Sequence, residues 1–203
     1  MLFPGETIAN SSPLVVSAGK DTTIYLASTA HLGRFNSNQN DNLQTIENAF
    51  HGHGVFNNAA YWQQKLYFCA VGYPLQIFAL KDGLISPAPI AQSTATFAFP
   101  GATPTISSDN NSGGIAWVLE FTHAGASNGH GGPAVLHAFD PHTAVELYNS
   151  NQAGARDMAG DSIKFTTPVI ANGKVYIGTA TEMDVFGLLG QKSKREDVNR
   201  IQP

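Results

Sequence analysis

Apolar residues in this chain come in short runs separated by polar turns. Pro13-Leu14-Val15-Val16-Ser17-Ala18 is followed by Gly19-Lys20-Asp21 and then by Thr22-Thr23-Ile24-Tyr25-Leu26-Ala27, two strands around a polar turn. The same form returns from near Gly54, as Gly54-Val55-Phe56-Asn57-Asn58-Ala59-Ala60-Tyr61-Trp62, Gln63-Gln64-Lys65 and Leu66-Tyr67-Phe68-Cys69-Ala70, with a further strand, Leu75 to Leu80, ending at Lys81-Asp82-Gly83. It returns again as Pro104-Thr105-Ile106-Ser107, a polar turn from Ser108 to Gly114, and Ile115-Ala116-Trp117-Val118-Leu119, resuming at Ala134 to Asp140 and Glu146-Leu147-Tyr148. The clearest copy is Phe165 to Thr179, where Val169-Ile170-Ala171 and Val175-Tyr176-Ile177 flank Asn172-Gly173. An Asn-Gly pair tolerates the two positive φ angles of a type I′ turn, so it predicts a hairpin with fixed register. Met183 to Leu189 continues that copy.

The copies open at Pro13, Ala59, Pro104 and Pro168, spaced 46, 45 and 64 residues apart. The long third interval contains the insertion Gly125 to Gly132 and the polar connection Asn149 to Asp161. A period of about 40 to 50 residues with several short strands per repeat predicts β-propeller blades. Runs such as Ile115 to Leu119 are continuously apolar rather than alternating, which means that both sheet faces are covered, as in a blade packed between two others. The β-branched and aromatic content of these runs argues against helical repeats. The fold class expected is therefore all-β, with about four four-stranded antiparallel blades over residues 1–190 and a polar tail over residues 191–203. Ser37 to Asn48, rich in Asn and Gln, reads as an exposed connection.

Composition narrows the function classes. Of 203 residues, 13% are charged and 42% hydrophobic, and the net charge is −4. That charge, with no basic stripe before the tail, excludes a nucleic-acid partner that needs its phosphates neutralised. Membrane insertion is not expected: Met1 to Glu6 has neither the basic nor the sustained apolar stretch of a signal peptide or a membrane span. The single cysteine, Cys69, lies in an apolar run and reads as a buried thiol.

Six of the seven histidines, His51, His53, His123, His130, His137 and His142, are expected in or beside turns. His51-Gly52-His53 brings two imidazoles close in sequence and His123 and His130 flank the Gly-rich insertion, but no zinc spacing is present and solvated loop histidines are the expectation. The insertion lacks the Lys-Ser/Thr end of a phosphate loop and reads as a connecting loop. Trp62 and Trp117 read as packing between blades, with a stacking platform for a ligand as the other use. Asp140 before Pro141 caps a turn. No nucleophile signature such as Gly-x-Ser-x-Gly occurs.

Several of these phrases resemble the pyrroloquinoline-quinone-type β-propeller repeat: Gly19-Lys20-Asp21 before Ile24-Tyr25-Leu26, Ala59 to Trp62 before Leu66-Tyr67-Phe68, Gly101 to Pro104 before Ile115-Ala116-Trp117, and Pro168 to Thr179. Leu136-His137-Ala138-Phe139-Asp140 with Glu146-Leu147-Tyr148 is similar to that family's third and fourth strands. The resemblance covers roughly residues 12–189. It implies a blade architecture and an extracytoplasmic setting. Quinoprotein dehydrogenases of this kind bind the quinone and calcium on the propeller axis through carboxylates, an Asn, a cationic side chain and often an adjacent Cys pair. This chain has no adjacent Cys pair, and its acidic residues show no calcium-loop spacing. The expectation is a non-catalytic scaffold or interaction module whose partner is another protein or further blades. The alternatives are the C-terminal half of an alcohol or sugar dehydrogenase using pyrroloquinoline quinone and calcium, and a carbohydrate-binding propeller using Trp62 or Trp117. As an incomplete propeller, the chain should expose the apolar face of a terminal blade.

Overall fold

A computed structural model describes residues 2–3, 12–123 and 130–189, the first two by backbone alone. Among the described residues, sixteen short strands form four antiparallel sheets arranged as propeller-like blades. The first blade contains β1 (Leu2–Phe3), β2 (Leu14–Ala18), β3 (Ile24–Ser28) and β4 (Gln44–Ile46). The second contains β5 (Ala60–Trp62), β6 (Lys65–Cys69), β7 (Tyr73–Lys81), β8 (Leu84–Ile85) and β9 (Ala91–Phe97), with β8 and β9 both paired to β7. The third contains β10 (Thr105–Asp109), β11 (Ser112–Glu120), β12 (Val135–Phe139) and β13 (Glu146–Asn149). The fourth contains β14 (Val169–Ala171), β15 (Lys174–Gly178) and β16 (Met183–Gly187), three strands among the described residues rather than four.

Turn chemistry sets the registers. Asn172 and Gly173 have φ of 50° and 69° and join β14 to β15, with Ile170 opposite Val175. Gln63-Gln64 and Asp82-Gly83 also take positive φ at both centres and close β5–β6 and β7–β8 in the same way. The polar turn expected from Ser108 to Gly114 is tighter: β10 and β11 extend through the polar residues and close at Asn110-Asn111. A Cβ on Gly173 would meet nothing within 4 Å, so Gly173→Ala adds only left-handed backbone strain. That substitution is expected to cost about 1 kcal/mol in a thermal melt.

The blades are held by three apolar seams, one between each successive pair. Alternation within one strand serves two seams: Leu66, Phe68, Phe78 and Leu80 face the first blade, while Tyr67, Cys69, Leu75 and Ile77 face the third. This is why β6 reads as an apolar run without polar alternation, and β7 as one broken only by Gln76. Phe50, Phe68 and Phe78 meet with centroids 5.4 to 6.1 Å apart in the first seam. Tyr67 donates its hydroxyl across the second seam to the Pro141 carbonyl at 2.9 Å. Cys69 is fully buried, and burial pushes its thiol well above the usual range, as suits an inert packing group. On the fourth blade, exposed Val169 and Val185 stand on either side of half-buried Tyr176 in one cross-strand row, and exposed Met183 lies opposite Gly178.

The first strands of successive blades are neighbours. β10 lies between β5 and β14, and Thr105 Oγ1 donates to the Pro168 carbonyl at 3.0 Å, so these strands are innermost. The first copy of the repeat sits one strand later than its Pro13 alignment implies. Val55 N–H donates to Gly19 O at 3.1 Å just beyond the end of β2, as Ala102 N–H does to Cys69 O at 3.5 Å at the end of β6. Thus β2 and β3 hold the second and third places, and β1 holds the first. A proline before an apolar run occurs at either place, so spacing alone could not tell them apart. The Asn- and Gln-rich connection is likewise not wholly exposed. Residues 44–46 form β4, and Gln44 bonds both backbone groups of Ile85 at 2.7 Å, tying the first blade to the second.

Candidate functional site

At one end of the blades, the turns between second and third strands meet the segments that lead into first strands. Gly54 O accepts from Val71 N–H at 3.0 Å, Ser162 O from Gly131 N–H at 2.8 Å, and Asp161 O from Ala180 N–H at 2.8 Å. These bonds satisfy irregular backbone and hold the connecting segments rigidly. What they present is a strip of aromatic rings flanked by lysines.

The strip begins at Lys20, whose Nζ lies 4.9 Å from the centroid of Phe56. The Val55–Gly19 bond places the two side by side, and Gly54 packs against the Lys20 backbone. Phe56 meets Phe99 edge-on at 5.3 Å, and Phe99 meets Phe165 edge-on at 6.5 Å. Lys164 Nζ lies 5.4 Å from Phe99 and 5.6 Å from Phe121. His123 closes the row, edge-on to Phe121 at 5.0 Å, with Nε2 3.1 Å from the Phe99 carbonyl. Phe56, Phe99 and Phe165 are 36%, 38% and 59% exposed. Phe165 has φ of 68°, a conformation a bulky residue rarely takes unless its surroundings impose it.

Asn57 anchors the centre of this surface. Its Nδ2 donates to Cys69 O at 3.0 Å and to Pro100 O at 3.4 Å, while its buried Oδ1 has no partner. Beside it is a cavity of about 10 Å³, lined by Asn57, Gly101, Ala102, Leu119, Phe121 and Phe165, a volume that suits one water molecule.

The histidines and tryptophans singled out in the sequence are dispersed. His51 and His53 do not converge on a point but flank Tyr73, at 5.9 Å tilted and 4.6 Å stacked, and His53 Nδ1 is 2.7 Å from Val71 O. His123 belongs to the strip, and half-buried His130 borders residues 124–129, which lie outside the described residues with much of the Gly-rich insertion. The tail from residue 191 is outside them too. Trp62 packs in the second seam near the opposite end of the blades, 5.4 Å from His142, its indole N–H on Asn110 O at 3.3 Å. Trp117 packs in the third seam and donates to Ser107 Oγ at 2.8 Å. Asp140 caps its turn as expected, Oδ1 accepting from the His142 and Thr143 amides.

His137 is the correction. It lies within β12 rather than in or beside a turn, and it is 7% exposed. Its Nδ1 is 2.6 Å from Glu146 Oε1 and its Nε2 3.1 Å from Glu120 Oε2, while its ring stacks on Phe139 and meets Phe97 edge-on. Burial pulls the imidazole pKa down, but the hydrogen bonds and charges of Glu120 and Glu146 outweigh it, and the net direction is up. The signal for this cluster was a single polar residue inside the doubly buried run Ala134 to Phe139, which requires partners on the neighbouring strands.

No protein-family model matches this chain, and no curated protein does. Among solved structures, it is similar to the computationally designed Ika8 protein, with a TM-score of 0.57 and 13% identity, covering 89% of this chain and 44% of that one. It is also similar to the computationally designed Ika4 protein, with a TM-score of 0.54 and 12% identity, covering 86% of this chain and 85% of that one. This chain therefore matches less than half the length of Ika8 and most of Ika4, and at such identities the likeness is one of fold alone.

Proposed function

We propose that this chain is a non-catalytic, quinoprotein-like β-propeller module that acts as a scaffold, docking another protein or further blades in an extracytoplasmic setting. The observation that carries this reading is the exposed row Phe56, Phe99 and Phe165, set on rigidly bonded loops and flanked by Lys20 and Lys164. Exposed aromatic rings on a firm scaffold are what a docking face uses, because they bury large area at little cost in side-chain entropy. The resemblance to the quinoprotein repeat supplies the setting.

The described residues alone do not supply a calcium–quinone site. Among the described residues, no three of His, Cys, Asp or Glu are grouped so as to hold an ion. The test is to add pyrroloquinoline quinone with calcium and follow the chromophore and dye-linked oxidation of alcohols and sugars. The expected result is that the chromophore passes through gel filtration apart from the protein and that no dye is reduced. Retained chromophore with turnover would replace this reading with the dehydrogenase one.

A further inference from the structure

We infer that the strip from Lys20 to Phe165 takes an extended protein segment in which apolar side chains alternate with carboxylates. This inference rests on the scaffold reading and names the chemistry of its partner. The rings give the apolar half of the argument: Phe56, Phe99 and Phe165 are joined by contacts of 5.3 and 6.5 Å and remain partly open to solvent. At about 3.3 Å per extended residue, three or four residues span that row. The cavity beside Asn57 and Phe165 is about 10 Å³. A cavity of that size admits no ligand larger than water, so a peptide would lie over the exposed rings.

The lysines give the other half. In a chain of net charge −4, the charged side chains resting on these rings are Lys20 over Phe56 and Lys164 over Phe99 and Phe121. Neither forms an ion pair among the described residues. Asp21, next to Lys20 in sequence, accepts from the Tyr25 hydroxyl and the Thr23 amide. Two ammonium groups resting on rings of this apolar row, without ion-pair partners among the described residues, are complementary to carboxylates carried on an apolar segment. Two lysines fall short of the four to eight cations with which proteins hold anionic membranes, so the structure favours a peptide over a lipid surface.

The experiment is fluorescence anisotropy of the full chain with labelled ten-residue peptides in which Asp and Glu alternate with Phe and Leu. Control peptides carry Lys or Gln in place of the acids. The acidic peptides are expected to bind at least tenfold more tightly than either control, and binding should weaken severalfold between 50 and 300 mM salt. Lys20→Ala with Lys164→Ala should lower affinity tenfold or more, and Lys20→Glu with Lys164→Glu should shift preference to the Lys peptides. These four surface substitutions leave the seams intact, so far-ultraviolet circular dichroism should be unchanged. No binding of the acidic set at 1 mM, or a double Ala variant that binds as the parent does, would overturn the inference. So would co-sedimentation with phosphatidylserine vesicles that the double Ala variant abolishes. Preferential binding of Lys peptides by the parent, lost in Phe99→Ala, would overturn the partner chemistry while supporting the scaffold reading; quinone-dependent turnover would overturn both.

Discussion

Replacing Glu120 and Glu146 together by glutamine is expected to lower the unfolding free energy by about 2 to 3 kcal/mol at pH 6, and by progressively less as pH rises through the raised folded-state pKa of His137. His137 is clamped between the two carboxylates, and the net effect of burial, hydrogen bonds and charge is to raise its pKa above the ordinary imidazole value. A group whose folded-state pKa is raised contributes stability fully below its unfolded value, near 6.5, and loses that contribution as pH rises through the folded value. The parent protein should therefore become less stable between about pH 6.5 and the folded pKa. The double glutamine variant should be nearly flat over the same window. An amide can accept from one ring nitrogen and donate to the other, so a neutral imidazole stays satisfied between two glutamines. Charge-assisted hydrogen bonds contribute about 1.5 to 3 kcal/mol each, and the carboxylates here are 28% and 29% exposed, so the low end applies. No charged residue on the packed strand β9 interferes, since Phe97 contributes only a ring edge. Urea melts of both proteins at pH 6, 7, 8 and 9 read the effect directly. Parallel pH profiles would mean that the carboxylates do not hold a proton on His137.

The contrast between this cluster and the hairpin from Phe165 to Thr179 shows what the sequence made legible. Turn chemistry is local, so Asn172-Gly173 and Asp82-Gly83 announce their own conformations and the strands beside them. Coverage of both sheet faces is also local, because it leaves β6 and β11 without polar alternation. The place of a hairpin within its blade is not local. β2–β3 and β5–β6 look alike in sequence, and only the bonds from Val55 and Ala102 separate second strands from first. The strip was hidden for a similar reason. Lys20, Phe56, Phe99 and Phe165 lie tens of residues apart in four separate loops, and each alone is an ordinary loop residue. Histidines and tryptophans drew notice by residue type, yet the arrangement consumes Trp62, Trp117 and His53 in internal hydrogen bonds and stacking. It leaves phenylalanines at the surface instead.

The rigidity of that surface depends on one backbone position. Gly101 has φ of 75°, and a Cβ built there would lie 2.5 Å from the Cys69 carbonyl oxygen and 2.9 Å from Asn57 Nδ2. Both neighbours are fixed. Cys69 is fully buried on β6, its oxygen accepts from Asn57 at 3.0 Å, and its backbone bridges to Ala102. Gly101→Ala therefore combines about 1 kcal/mol of left-handed strain with displacement of a strand whose side chains fill two seams at native density. The expected cost is about 3 kcal/mol or more, which for a chain of this size lowers Tm by about 10 °C. Gly173→Ala, with the same sign of φ and open space around it, isolates the strain alone, and the difference between the two melts measures the close approach at Gly101. Because Phe99 and Pro100 directly precede Gly101, the loss of stability should come with weaker binding of acidic peptides at temperatures where the protein remains folded. A Gly101→Ala protein as stable as Gly173→Ala would mean that the loop yields to the new methyl group, and that the strip is not held in place by the Cys69–Asn57–Pro100 bonds.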